Sequence, residues 1–144
     1  SINAYVLGEH GDSSMVNWSA VCVGGIDLNT FCRQTKISLP QTTRNTIEHR
    51  VHNAAYEIIQ GRMATWDGIA GAVADLVRCI INDEHRILTV STVDGAPDRA
   101  LAMSLPRVVG ANGVVATLMP KMSATESAAL EKSFAKTMMK FNGK

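Results

Sequence analysis

Between Pro40 and Val93 the chain changes its hydrophobic period, and that switch constrains its fold more than any other feature. Ile47, Val51, Ala54/Ala55 and Ile58 recur every three or four residues, which puts one apolar face on a helix of about five turns. Gly61 follows where a C-cap glycine belongs. Ile69, Val73, Leu76/Val77 and Ile80/Ile81 repeat the pattern and predict a second helix. At residues 86–93 (RILTVSTV) the helical period gives way to β-branched residues and a predicted strand, which Asp94-Gly95-Ala96-Pro97-Asp98 breaks. Apolar runs at 100–109 and 114–118 then flank Gly110-Ala111-Asn112-Gly113. The Asn-Gly pair predicts a hairpin through a type I′ turn, with positive φ at both central residues. Ser123-Ala124-Thr125-Glu126 is a capping box opening a last helix, whose stripe is Leu130, Phe134, Met138 and Phe141. Upstream, residues 4–7 (AYVL) and 18–23 (WSAVCV), bounded by Gly8 and by Gly24-Gly25, read as strands. Strands, two helices, three strands and one helix make an α+β arrangement of antiparallel strands packed with long helices, rather than a βαβ alternation.

With 144 residues the chain has the length of one domain with a real core. Fourteen basic against 13 acidic residues leave a net charge of +1, which argues against nucleic acid or an anionic membrane as the partner. No apolar run approaches the ~20 residues needed to cross a bilayer, and no stretch reads as a signal peptide. Cys22, Cys32 and Cys79 are odd in number and widely spaced, without a C-x-x-C pair. They encode neither a zinc knuckle nor a disulfide framework, and free thiols in a reducing, cytoplasmic compartment are expected. Neither a G-x-G-x-x-G nor a G-x-x-x-x-G-K-[ST] occurs, so no dinucleotide or phosphate cradle is encoded. The chain opens on Ser1 and reaches a strand-like run within three residues, as a fragment or processed piece does.

The residues that carry chemistry are few. His10 sits in AYVLGEHGDS, after an apolar run and between glycines, where a histidine enters a cleft and small neighbours admit a substrate. Histidine suits proton transfer near neutral pH, because its free pKa is ~6.5. The alternative is a solvated turn histidine. Glu9 and Asp12 are its sequence neighbours, but adjacent turn residues tend to diverge. A metal hydrolase built on Glu9, His10 and Asp12 would crowd three ligands into four residues, so no metal is expected. His49 and His52 share a helix face at i, i+3, not the i, i+4 spacing of zinc helices, and read as a solvated face. His85 reads as a cation at a helix end. The corner Gly61-Arg62-Met63-Ala64-Thr65-Trp66-Asp67 reads, on its residues alone, as tight packing. The cysteines read as buried and inert.

Taken together, five segments resemble one family in order and spacing. AYVLGEHGDS looks like the active-site histidine motif of L-lactate and related L-2-hydroxyacid dehydrogenases, in the lactate/malate dehydrogenase superfamily. WSAVCVGGIDL, VHNAAYEIIQ with ATWDGIAGAVADL, LTVSTVDG, and SLPRVVGANGV with the closing helix are similar to successive parts of the same domain. The resemblance spans essentially all of residues 1–144 and implies the carboxy-terminal alpha/beta catalytic domain, with the amino-terminal NAD-binding Rossmann domain absent from this chain. It implies His10 as the proton donor and acceptor, Thr65 as a substrate-pocket residue, and Ile69 as the apolar residue against the nicotinamide of NAD. The substrate implied is a small 2-oxo or 2-hydroxy acid (pyruvate and L-lactate), and the assembly a homo-oligomer, dimer or tetramer. The family's orienting aspartate and carboxylate-clamping arginine lie in its other half, so the isolated chain is expected to be inactive or nearly so. Asn3 stands where many members have a histidine that helps bind fructose 1,6-bisphosphate, which lowers the expectation of that activation. Trp66-Asp67 differ from the residues usual after the threonine and leave a larger, L-2-hydroxyisocaproate-type pocket as an alternative. An oligomerisation module is the alternative for the isolated chain.

Overall fold

The period switch marks a boundary in the computed structural model, which describes residues 1–62, 65–94 and 101–142. The apolar run at 4–7 does not form one strand. Only its second half, β2 (Val6–Leu7), is strand, after a separate short strand β1 (Ile2–Asn3), and β2 pairs antiparallel with β3 (Met15–Val16). The run at 18–23 is also corrected. Trp18–Ala20 is a 3₁₀ turn, and only Cys22–Val23 (β4) is strand. Polar partners far along the chain favour the turn: the Ser19 N–H donates to Glu126 Oε1 at 3.0 Å, and Trp18 Nε1 donates to Glu48. β4 is the centre of a small antiparallel sheet between β1 and β5 (Ile26–Asp27).

Periodicity missed the helix α1 (Leu28–Thr35), which is held at its start by Asp27 Oδ1 accepting from the Thr30 N–H at 2.9 Å. The two predicted long helices are α2 (Gln41–Arg62) and α3 (Trp66–Ile81). α2 runs through Gly61, which is therefore not a C-cap; the glycine sits in the exposed last turn with nothing within 4 Å of a Cβ there. His85 lies beyond the end of α3 at φ 51, with Nδ1 3.3 Å from Asp83 Oδ1.

The strands β6 (Arg86–Asp94), β7 (Leu101–Gly110) and β8 (Gly113–Thr117) form the predicted antiparallel meander. The hairpin between β7 and β8 is present, but its turn is not type I′. Gly113 alone has positive φ (88°), with Gly110 paired to Gly113, so the left-handed residue follows the turn instead of forming its centre. A left-handed residue after an ordinary turn also reverses the chain with the right twist. The predicted break at Gly95–Asp98 lies outside the described residues.

The last helix, α4 (Ala124–Asn142), starts at the predicted capping box: the Ser123 N–H donates to Glu126 Oε2 at 2.6 Å, and the Glu126 N–H to Ser123 Oγ at 3.3 Å. Of its stripe, Leu130 is buried, Phe134 is half-buried and Met138 is about a third exposed; the Phe141 side chain lies outside the described ones.

The core sits where β2, β7 and α4 meet, at Leu7, Met103, Leu105 and Leu130, with Tyr5, Met15, Met122 and Phe134 packed around them. β7 is also the inner strand of the meander and is backed by α3, where the buried Cys79 thiol donates to the Val109 carbonyl at 3.3 Å. The α2 stripe is not part of this core. Ile47, Val51 and Ile58 stay exposed, and α2 meets the body through polar contacts: Glu48 to Trp18, His52 to Ser14, and Arg44 over the Trp18 ring at 5.3 Å.

Candidate active site

The His10 turn follows β2 directly. Beyond Leu7 the chain joins the meander, with Gly8 and Ser104 exchanging backbone hydrogen bonds of 3.1 and 3.0 Å. Gly8 has φ 105, and a Cβ there would stand 2.6 Å from Ser133 Oγ, so only glycine fits on both counts. The chain then bends through Glu9 and His10, and the Ser14 N–H closes the turn on the Gly11 carbonyl at 3.0 Å.

Glu9 and His10 differ in burial, although both line the same cleft. Glu9 is buried at 8% exposure; its carboxylate accepts from the Ser13 hydroxyl and lies 3.7 Å from Lys136 Nζ. It is thus committed to the α4 side. His10 is exposed, and among the described residues its imidazole has no hydrogen-bonding partner. No group of three or more His, Cys, Asp or Glu able to hold a metal occurs among the described residues.

His10 lines a cleft of about 630 Å³. The histidine turn forms one wall, Val51, His52, Ala55 and Tyr56 of α2 another, and Thr89 of β6 with Ser104 of β7 the floor. His52 is fixed by Nε2 at 2.8 Å from the Ser14 carbonyl, so it belongs to the wall that joins α2 to the histidine turn. Its i, i+3 spacing with His49 predicts a solvated face. It is exposed, yet it carries this contact.

A second, largely apolar hollow of about 290 Å³ adjoins the first through Thr89, which lines both. Ile69, Val73 and Leu76 of α3 face Leu88 and Val90 of β6 there. Ile69 is 60% exposed, as are Val73 at 53% and several other apolar residues of the helices. This wall suits the face of a flat ring such as a nicotinamide, with the uncharged reduced form the better match. The chain carries no glycine-rich cradle for a pyrophosphate, so it fits that end of a dinucleotide only.

Thr65 stands half-buried at the start of α3, and its hydroxyl makes no capping bond to the helix. It is not among the residues lining the His10 cleft. Met63 and Ala64 of the same corner lie outside the described residues, while Trp66 is 80% exposed. The structure therefore brings the His10 cleft and the Ile69 wall side by side, while Thr65, whose carbonyl accepts the Ile69 N–H at 3.4 Å, lines neither. Ser133 is the residue that sequence reasoning missed. It lies fully buried on α4, where its hydroxyl accepts the Glu9 N–H at 2.8 Å. No spacing rule links two residues 124 positions apart.

Comparison with known proteins identifies the family and the fold. The profile of the lactate/malate dehydrogenase, alpha/beta C-terminal domain family matches residues 1–141. The L-lactate dehydrogenase of Thermus aquaticus is 44% identical over 137 residues, covering 92% of this chain and 44% of that protein. That of Geotalea daltonii is 43% identical over 136 residues, with 92% and 43% covered. Among solved structures, a lactate dehydrogenase from a Medee basin deep-sea metagenome library superposes with a TM-score of 0.85 at 31% identity, over 94% of this chain and 44% of that one. The lactate dehydrogenase of Cryptosporidium parvum, solved with lactic acid and β-nicotinamide adenine dinucleotide, shares the fold at a TM-score of 0.83 and 24% identity, over 94% and 44%. The chain spans less than half the length of these relatives.

Proposed function

Because the chain belongs to the lactate/malate dehydrogenase family, as its alpha/beta C-terminal domain, we propose that it is the substrate half of an NAD-dependent L-lactate dehydrogenase. The reaction would interconvert pyruvate and L-lactate. The observation that carries this reading is the pairing of an exposed imidazole, free of partners among the described residues, with an adjoining apolar wall. A dinucleotide-binding half would complete the enzyme, with a homodimer or homotetramer as its working form.

When bound, NADH supplies a hydride to the carbonyl carbon of the 2-oxo acid. His10 gives a proton to the carbonyl oxygen in that direction and takes it back from the hydroxyl in reverse. Ile69, with Val73 and Leu76, offers an apolar surface that keeps water from the nicotinamide face. Thr65 closes the margin of the pocket from the start of α3. Glu9 does not orient His10, because its carboxylate is held by Ser13 and Lys136. The orienting group and the charge that clamps the substrate carboxylate come from the other half.

His10→Ala in the full-length protein is expected to lower kcat at least about a hundredfold, the scale of general acid–base catalysis, with NADH affinity kept. Turnover near that of the wild type would refute the role. A branched 2-oxo acid turned over faster than pyruvate would move the assignment to an L-2-hydroxyisocaproate-type enzyme. The exposed Ile69, Val73, Val77 and Ile81 of α3 favour a second role for this chain on its own, as an inactive association module. Sedimentation of the chain together with an NADH titration separates the two: oligomers that bind no cofactor support association.

A further inference from the structure

The His10 turn is fixed from beneath by side chains that the proposed chemistry does not use. Ser133 Oγ accepts the Glu9 N–H at 2.8 Å, lies 3.1 Å from Ser13 Oγ, and stands where a Cβ on Gly8 would fall, 2.6 Å away. It thereby touches the chain at positions on both sides of His10. The Glu9 carboxylate extends the anchor, taking the Ser13 hydroxyl and facing Lys136 Nζ at 3.7 Å. Ser133 is 0% exposed and Glu9 8%, so the bond between Ser133 Oγ and the Glu9 N–H is shielded from competing water. A buried serine inside a helix commonly bonds back to a carbonyl of its own helix. Ser133 Oγ instead accepts the N–H of Glu9, 124 residues earlier in the chain.

We propose that Ser133 is a positioning residue for His10: it sets the direction in which the imidazole enters the cleft by fixing the turn at Gly8, Glu9 and Ser13. The inference rests on the reading of His10 as the acid/base group. A proton donor displaced by about 1 Å loses up to about a hundredfold in rate, even when every reacting group is present. An imidazole on an exposed turn needs such a hold, because nothing else among the described residues bonds to it.

The test is Ser133→Ala in the full-length protein, a change that removes one hydroxyl and keeps the Cβ. Hydrogen exchange of the peptide spanning residues 8–14 is expected to speed up at least about tenfold, with exchange in β7 unchanged. The kcat is expected to fall roughly ten- to hundredfold while the NADH dissociation constant stays within about twofold. Unchanged exchange, or faster exchange with unchanged kcat, overturns the proposal. So does a parallel loss of NADH binding and kcat, which marks general damage to the fold. Should Ser133→Ala fail to fold, Ser13→Ala removes the other hydroxyl of the anchor without touching α4 and is read the same way. A parallel His10→Asn variant tells the two hypotheses apart. If it keeps full turnover, the acid/base reading fails, while the exchange data still decide whether Ser133 holds the turn.

Discussion

Gly8 shows how much one position decides. Its φ of 105° and the 2.6 Å approach of Ser133 Oγ make Gly8→Ala a double conflict, of backbone strain and overlap. A loss of about 2–3 kcal/mol in urea unfolding is expected, at the upper end for a strained non-glycine residue. Combining it with Ser133→Ala should recover part of that loss, since the overlap is relieved and the strain is not. Strictly additive losses in the double variant would contradict the geometry. At this scale the sequence was partly legible. His10 stands in a recognisable motif, AYVLGEHGDS, so the position of the cleft turn is legible. Ser133 was invisible. A serine inside a helical stripe carries no local mark of the loop it holds, and only the folding of α4 onto β2 brings them together.

Among the elements, the start of α4 carries the clearest electrostatic consequence. Burial opposes the charge on Glu126, but the backbone N–H of Ser123 and hydrogen bonds from Ser19 and Ser123 outweigh it and hold the carboxyl below its usual range. A depressed folded value means the stabilisation is complete above the unfolded value of about 4.3 and disappears as pH falls through the folded one. Glu126→Gln should therefore cost about 0.5–1 kcal/mol at pH 7, and the gap in Tm between variant and wild type should close on acidification. A gap that is constant from pH 7 to 3 would contradict this account. Elements with strong local signals were the legible ones: the capping box, the α3 period and the β-branched run of β6. The stretch at 18–23 was misread because its backbone is satisfied by Glu126 and its tryptophan by Glu48, partners that lie 30 residues away or more. The same limit applies to the turn before β8, where Asn-Gly fixed the place of reversal and left its geometry open.

Across the whole molecule, burial is concentrated on one side. β2, β7 and α4 share the core, whereas α2 and much of α3 present isoleucine, valine and tyrosine to the outside. A helix held by a few polar contacts opens easily, so α2 beyond Asn53 should exchange its amides far faster than β7 in the chain on its own. It should become protected in the full-length protein. Equal protection of α2 and β7 in the isolated chain would mean that the polar contacts to Trp18 and Ser14 suffice. The periodicity of α2 was correct as a helix signal and silent about what covers it, because an apolar stripe specifies burial without naming the partner. One buried thiol gives access to the kinetics of this asymmetry. Cys79 is sealed between α3 and β7, while Cys22 and Cys32 are only half-buried. A thiol reagent should modify the latter two from the native ensemble. It should reach Cys79 only when the seam between helix and sheet parts, which makes this one sulfur a clock for the rate at which the domain unfolds.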